Sequence, residues 1–152
     1  MKEFNYYIFV DYSENLVGYC IIQNEKLKEL IPKISRFKHY KSAGNRRLYL
    51  KNVKNTIKRE KIEDYFLKLK INEVRKNIEI YLDILEFLKK NTSCIIFVSV
   101  DNRQYNTFRK MVAIACGENV IIKRESELKV GTNEYQASLV LDNLLNIERL
   151  KE

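Results

Sequence analysis

The sequence predicts an α/β fold: one mixed five-stranded sheet with an antiparallel meander and flanking helices. Three observations predict it. Two short apolar runs, Tyr6-Tyr7-Ile8-Phe9-Val10 and Cys94-Ile95-Ile96-Phe97-Val98, have the length and β-branched, aromatic character of central strands. A second strand-like run, Leu16–Gln23, follows the first after only Ser13-Glu14-Asn15, close enough to be its hairpin partner. Beyond residue 58 helical and strand periods alternate, the pattern of helices laid on a sheet.

Asn5–Tyr12 is the first predicted strand and Leu16–Gln23 the second. Glu25–Ile31 reads as a short helix ending before Pro32, which disfavours helical backbone at the residue before it. Ser35–Asn45 reads as an exposed loop, and Arg46–Val53 alternates enough (Leu48 and Leu50 against Tyr49 and Lys51) to be a third, outer strand on a part-mobile basic edge. From Lys58 to Lys90 the period is helical, with Ile71, Val74, Ile78, Tyr81, Leu82, Leu85 and Leu88 on one stripe. Cys94–Val100 is the fourth strand. Asp101-Asn102 can cap a helix running to about Cys116 and ended by Gly117. Asn119–Lys123 is the fifth strand. Thr132 or Asn133 opens a last helix with Leu141, Leu144, Leu145 and Leu150 inward.

At 152 residues the chain is the size of one domain, and residues 1–152 are read as a single unit. No apolar run approaches the roughly 20 residues of a membrane span. Met1-Lys2-Glu3-Phe4 leads into the first strand without a signal-peptide layout, and a cytoplasmic location is expected. Cys20, Cys94 and Cys116 lie in apolar surroundings with no Cys-x-x-Cys, as core thiols do, so neither a disulfide framework nor a Cys/His zinc site is indicated. The net charge of +8 is unevenly placed. Residues 26–61 hold thirteen Lys/Arg against two Glu, a net +11, while residues 1–25 are net −3 and residues 62–152 are balanced. Such a block attracts polyanions. Arg36, Lys38, Lys41, Arg46, Arg47, Lys51 and Lys54 are the expected nucleic-acid contacts, with Phe37, Tyr40 and Tyr49 interleaved for stacking on bases or sugars. Backbone contacts with little sequence specificity are expected.

Asp11 and Asp101 end two predicted central strands. If those strands are parallel neighbours, both acids emerge at one sheet edge, either as turn formers and helix caps or as ligands of a metal. Phosphodiester cleavage without a histidine nucleophile uses two Mg2+ ions about 4 Å apart, clamped by carboxylates on rigid supports. Here the chain resembles the ribonuclease H-like superfamily. The resemblance rests on Ile8-Phe9-Val10-Asp11-Tyr12-Ser13 with its Asp-x-Ser pattern, the following Gly18-Tyr19-Cys20-Ile21-Ile22, the run Ile95 to Tyr105 containing Asp101, and the order of elements. The sequence departs from the family at Tyr12, where a Gly is usual, and His39 lies in the basic block instead of a mobile catalytic loop.

The resemblance implies catalytic acids at Asp11 and Asp101, a third from the long helix and a fourth, Asp142, from the last helix. Glu79 stands 22 positions before Asp101 and is assigned the third place, while Asn77 or Glu73 fit the helix face as well. Asp11, Asp101 and Asp142 would hold Mg2+ or Mn2+. The implied partner is nucleic acid, RNA ahead of DNA, in hybrid or duplex form. Two functional readings follow. One is a metal-dependent nuclease; the other is a catalytically inactive module of the same fold that binds nucleic acid or protein through its basic block.

Overall fold

The computed structural model describes residues 4–99, 102–116 and 120–151, without the side chains of 102–104. Asp101, assigned above as a ligand, and Gly117, the expected helix stop, lie outside the described residues.

Five strands form one sheet in the order β3-β2-β1-β4-β5. β1 (Tyr6–Ser13) and β2 (Leu16–Gln23) pair antiparallel, and β3 (Lys68–Glu73) extends that meander on the far side of β2. β4 (Cys94–Val98) and β5 (Val120–Arg124) are parallel to β1, as strands reached through helical crossovers must be.

Alternation along β1 divides the core into two layers. Tyr7 and Phe9 face a layer built with α1 (Asn24–Leu30), α2 (Arg46–Arg59) and α5 (Asn133–Arg149). Ile8 and Val10 face a second layer with α3 (Asn77–Lys90) and α4 (Asn102–Cys116). Each fully buried Leu or Ile in these layers contributes about 1.5–3 kcal/mol relative to exposure.

Two expected elements are corrected. Residues 46–53 are not an outer strand but the first half of α2. Asn45 caps that helix by accepting from the Leu48 N–H at 3.1 Å, and the buried residues Leu50, Val53 and Ile57 recur at helical spacing. The third strand lies later, at Lys68–Glu73, inside the stretch read as helix. Its lysines alternate with Leu69 and Ile71, which suits an edge strand. On α3 the buried stripe is Ile80, Tyr81, Ile84, Leu85 and Leu88, whereas Ile78 and Leu82 are exposed. Leu150 is exposed at the end of α5.

The basic loop is held down. Gln136 Nε2 on α5 donates to the carbonyls of Ile34 (2.6 Å) and Phe37 (3.0 Å), and Asn143 Nδ2 donates to that of Lys38 (3.1 Å). Phe37, expected to stack on bases, is buried in the α5 layer. Tyr49 is likewise engaged, its hydroxyl donating to the Lys38 carbonyl at 2.8 Å.

Candidate active site

Parallel register builds the site. The last aligned row across the three parallel strands is Val10, Val98 and Arg124. One residue further along each chain stand Asp11, Ser99 and Glu125, all on the α5 side of the sheet, and the Ser99 N–H donates to the Val10 carbonyl at 2.9 Å. The opposite neighbour of Asp11 on β2 is Gly18. A Cβ there would come within 3.0 Å of Leu141 and 3.2 Å of Leu145, so the missing side chain lets α5 lie close on the sheet. Leu141 is followed by Asp142, which thereby reaches the same cleft of about 500 Å³ as Asp11, Ser99 and Glu125.

Asp11 is 8 % exposed and Asp142 6 %. Burial pushes the Asp11 carboxyl well above the usual carboxylate range, and the charges of Glu125 and Asp142 push it further; hydrogen bonds from the Tyr12 N–H and from Ser99 oppose this. Burial also raises Glu125, opposed by a Ser99 hydrogen bond, and Asp142 adds repulsion. Asp142 is raised by burial too, and the Tyr40 N–H, His39 and Lys41 hold it back. Its Oδ2 accepts from the Tyr40 N–H at 2.9 Å, and His39 Nε2 stands 3.4 Å from Oδ1. His39 Nδ1 accepts from the Lys41 N–H at 3.3 Å, so the neutral ring carries its proton on Nε2, facing Asp142.

The same cleft is lined by Lys41, Arg46 and Arg149 and by a fourth acid, the exposed Glu14. Carboxylates are the donor type for a hard cation, and Lys and Arg the type for a phosphate. By chemical type the three carboxylates are hard donors, and their mutual repulsion is of the kind a positive charge relieves. Among the described residues, no group of three or more Asp, Glu, His or Cys side chains is arranged so that it could hold a metal ion.

Of the acids assigned from sequence, Asp11 and Asp142 come together. Glu79 does not join them. It lies exposed on α3, in the layer across the sheet, and accepts from Asn72 Nδ2 at 3.2 Å. Glu73, the alternative, is exposed and ion-paired with Arg75. Tyr12 turns its ring to the α3 layer, where its hydroxyl and that of Tyr81 share a hydrogen bond of 2.5 Å. The seven predicted basic contacts are all exposed, and Lys41 and Arg46 reach the cleft.

Sequence reasoning missed Glu125, Ser99, His39 and Arg149. A signal existed for Glu125, which follows a strand parallel to β1 much as Asp11 ends its own. His39 is distant in sequence from every acid, and only the loop's anchorage to α5 brings it to Asp142.

The chain has a ribonuclease H-like fold. No family model matches the sequence, and no curated protein matches it. Among solved structures, the ribonuclease HII of Archaeoglobus fulgidus, in its complex with PCNA, superposes with a TM-score of 0.51 at 12 % identity, over 97 % of this chain and 73 % of that one. Ribonuclease H2 of Pyrococcus horikoshii OT3 superposes with a TM-score of 0.50 at 13 % identity, over 95 % and 72 % of the two chains. Both likenesses are of fold.

Proposed function

We propose that the chain is a single-domain, Mg2+- or Mn2+-dependent nuclease that hydrolyses phosphodiester bonds, RNA ahead of DNA. The observation that carries this is the cleft at the ends of β1, β4 and β5, lined by Asp11, Glu125 and Asp142 together with Lys41, Arg46 and Arg149. Asp11 and Asp142 would hold the cation with Glu125, and Asp101 is retained from the sequence as a further ligand. When bound, such a cation supplies Lewis acidity and a more acidic attacking water. The chain's own part is to keep three carboxylates ionisable and close, to exclude bulk water from Asp11, and to hold the substrate backbone by exposed Arg and Lys from Arg36 to Lys54. The RNA preference draws on the likeness to proteins described as ribonucleases. A cytoplasmic location suits the three unpaired cysteines, and among the described residues no helix is long and apolar enough to cross a membrane.

A second reading is favoured by one observation. Both oxygens of Asp142 already face the 39–40 segment, as an anchor for a binding loop would. In that reading the domain binds nucleic acid without cleaving it.

The test is cleavage of labelled RNA, DNA and hybrid with Mg2+ or Mn2+. Asp11→Asn and Glu125→Gln are each expected to reduce turnover at least about a hundredfold while the protein stays folded. Turnover that survives Asp11→Asn would sink the assigned centre. Salt-sensitive binding with no metal-dependent turnover would select the second reading.

A further inference from the structure

Ser13 belongs to the Asp-x-Ser pattern, yet it has no part in the acid cluster. Its hydroxyl donates to Asn146 Oδ1 at 3.3 Å and accepts from Arg149 Nε at 3.1 Å. Arg149 Nη2 donates to the same Asn146 oxygen at 2.8 Å, and Asn146 Nδ2 donates to the Asp142 carbonyl at 2.8 Å. The guanidinium is thereby fixed on one side to the strand that carries Asp11 and on the other to the helix turn that carries Asp142. Fixing a long, flexible side chain in this way removes most of the entropy loss that anion binding would otherwise impose on it.

Arg149 keeps binding capacity. A guanidinium has five N–H groups, and the Ser13 and Asn146 bonds use two. Among the described residues, Nη1 has the carboxylate of Glu14 at 3.7 Å, beyond hydrogen-bond range and on a side chain 74 % exposed. Arg46 converges on the same place. Both guanidinium carbons lie over the Tyr40 ring, Arg46 at 5.5 Å and Arg149 at 5.8 Å from its centroid. Both guanidinium groups line the cleft, so an anion bound there is attracted by two positive charges. Arg46, Arg149 and Tyr40 line the same cleft as Asp11, Glu125 and Asp142.

We propose that Arg149, oriented by Ser13 and Asn146 and joined by Arg46 over Tyr40, is a phosphodiester-binding site beside the acid cluster, with Glu14 its resident competitor. This rests on the nuclease reading of the cleft for its ligand class. The site grips one phosphate of the strand and leaves the adjoining linkage over the carboxylates. The planar fork matches two non-bridging oxygens and reads no base, so ribose and deoxyribose strands are both held. An incoming phosphate displaces the exposed Glu14 carboxylate.

A merely structural role for Arg149, as a cation at the end of α5, predicts nothing at Glu14. The experiment therefore measures binding of the full chain to a fluorescein-labelled single-stranded oligouridine of roughly 12 nucleotides, in EDTA, across a salt series. Arg149→Gln is expected to weaken binding about tenfold and to lower the salt slope by about 0.7, the loss of one charge-assisted phosphate contact. Glu14→Gln is expected to tighten binding about threefold, and that gain vanishes in the Glu14→Gln/Arg149→Gln double variant. Unchanged or weaker binding by Glu14→Gln overturns the proposal, as does a gain that persists without Arg149. Should Arg149→Gln fail to fold, the exposed Glu14→Gln variant decides alone. Because the binding is read without metal, failure of cleavage in the Mg2+ assay would count against the nuclease reading and leave this result standing.

Discussion

Asp11 is a carboxylate kept from water beside two others, and that arrangement opposes folding. Its folded pKa is raised, so over the range between the ordinary carboxylate value and the raised one the native state binds more protons than the unfolded chain. Stability therefore falls as pH rises through that window and regains the lost part on acidification. Asp11→Asn keeps an acceptor for the Tyr12 N–H and removes the charge. It is expected to raise stability at neutral pH by on the order of 1 kcal/mol, about 2–4 °C in melting temperature for a chain of this size. The gain should shrink toward pH 4 and also when Mg2+ is added, because either a proton or a cation relieves the wild type. Melting curves across pH, with and without Mg2+, check this; a destabilised Asp11→Asn at neutral pH would refute it.

At the scale of elements, the site depends on how closely α5 approaches the sheet. Gly18 sets that distance, since Leu141 and Leu145 are fully buried and have little room to retreat. Gly18→Val is expected to cost about 1–3 kcal/mol by overpacking and, by displacing the turn that carries Asp142, to reduce metal-dependent turnover by more than the stability loss explains. Denaturant melts paired with activity at a temperature where the variant stays folded separate the two effects. Arg46–Val53 alternates over a few residues only, and the wider spacing of Leu50, Val53 and Ile57 with the Asn45 cap decides for a helix. Lys68–Glu73 alternates as an edge strand should, but its Ile71 also fits a helical stripe with Val74 and Ile78. Short windows fit both periods, and hydrogen-bonding to β2 decides between them.

For the whole molecule, the charge asymmetry becomes an exposed basic surface on α2 and the loop before it, beside the cleft that Asp11, Glu125 and Asp142 line. The two acids of the block are engaged locally, Glu29 with Lys26 at 3.3 Å and Glu60 with Lys33 at 3.2 Å. The exposed Lys51 and Lys54 are left to act at longer range. Replacing both with Gln is expected to weaken binding to nucleic acid similarly for all sequences and to lower the slope of log affinity against log salt by about 1–2. Affinity measured over a salt series checks this, and an unchanged slope would remove α2 from the interface.

The sequence by itself determined the kind of molecule. The apolar runs of β1, β2 and β4, the helical stretches around them and the basic block follow from local composition and period, which tertiary structure rarely overrides in long, consistent segments. It also marked Asp11, where an apolar run ends in an acid, while Asp142 was reached through the family resemblance. The tertiary structure alone decided which charges meet. Strand register put Glu125 and Ser99 beside Asp11, the layer boundary put Glu79 across the sheet, and the anchored loop brought His39 to Asp142. Those contacts join residues far apart in the chain, and no local pattern encodes the distance between them.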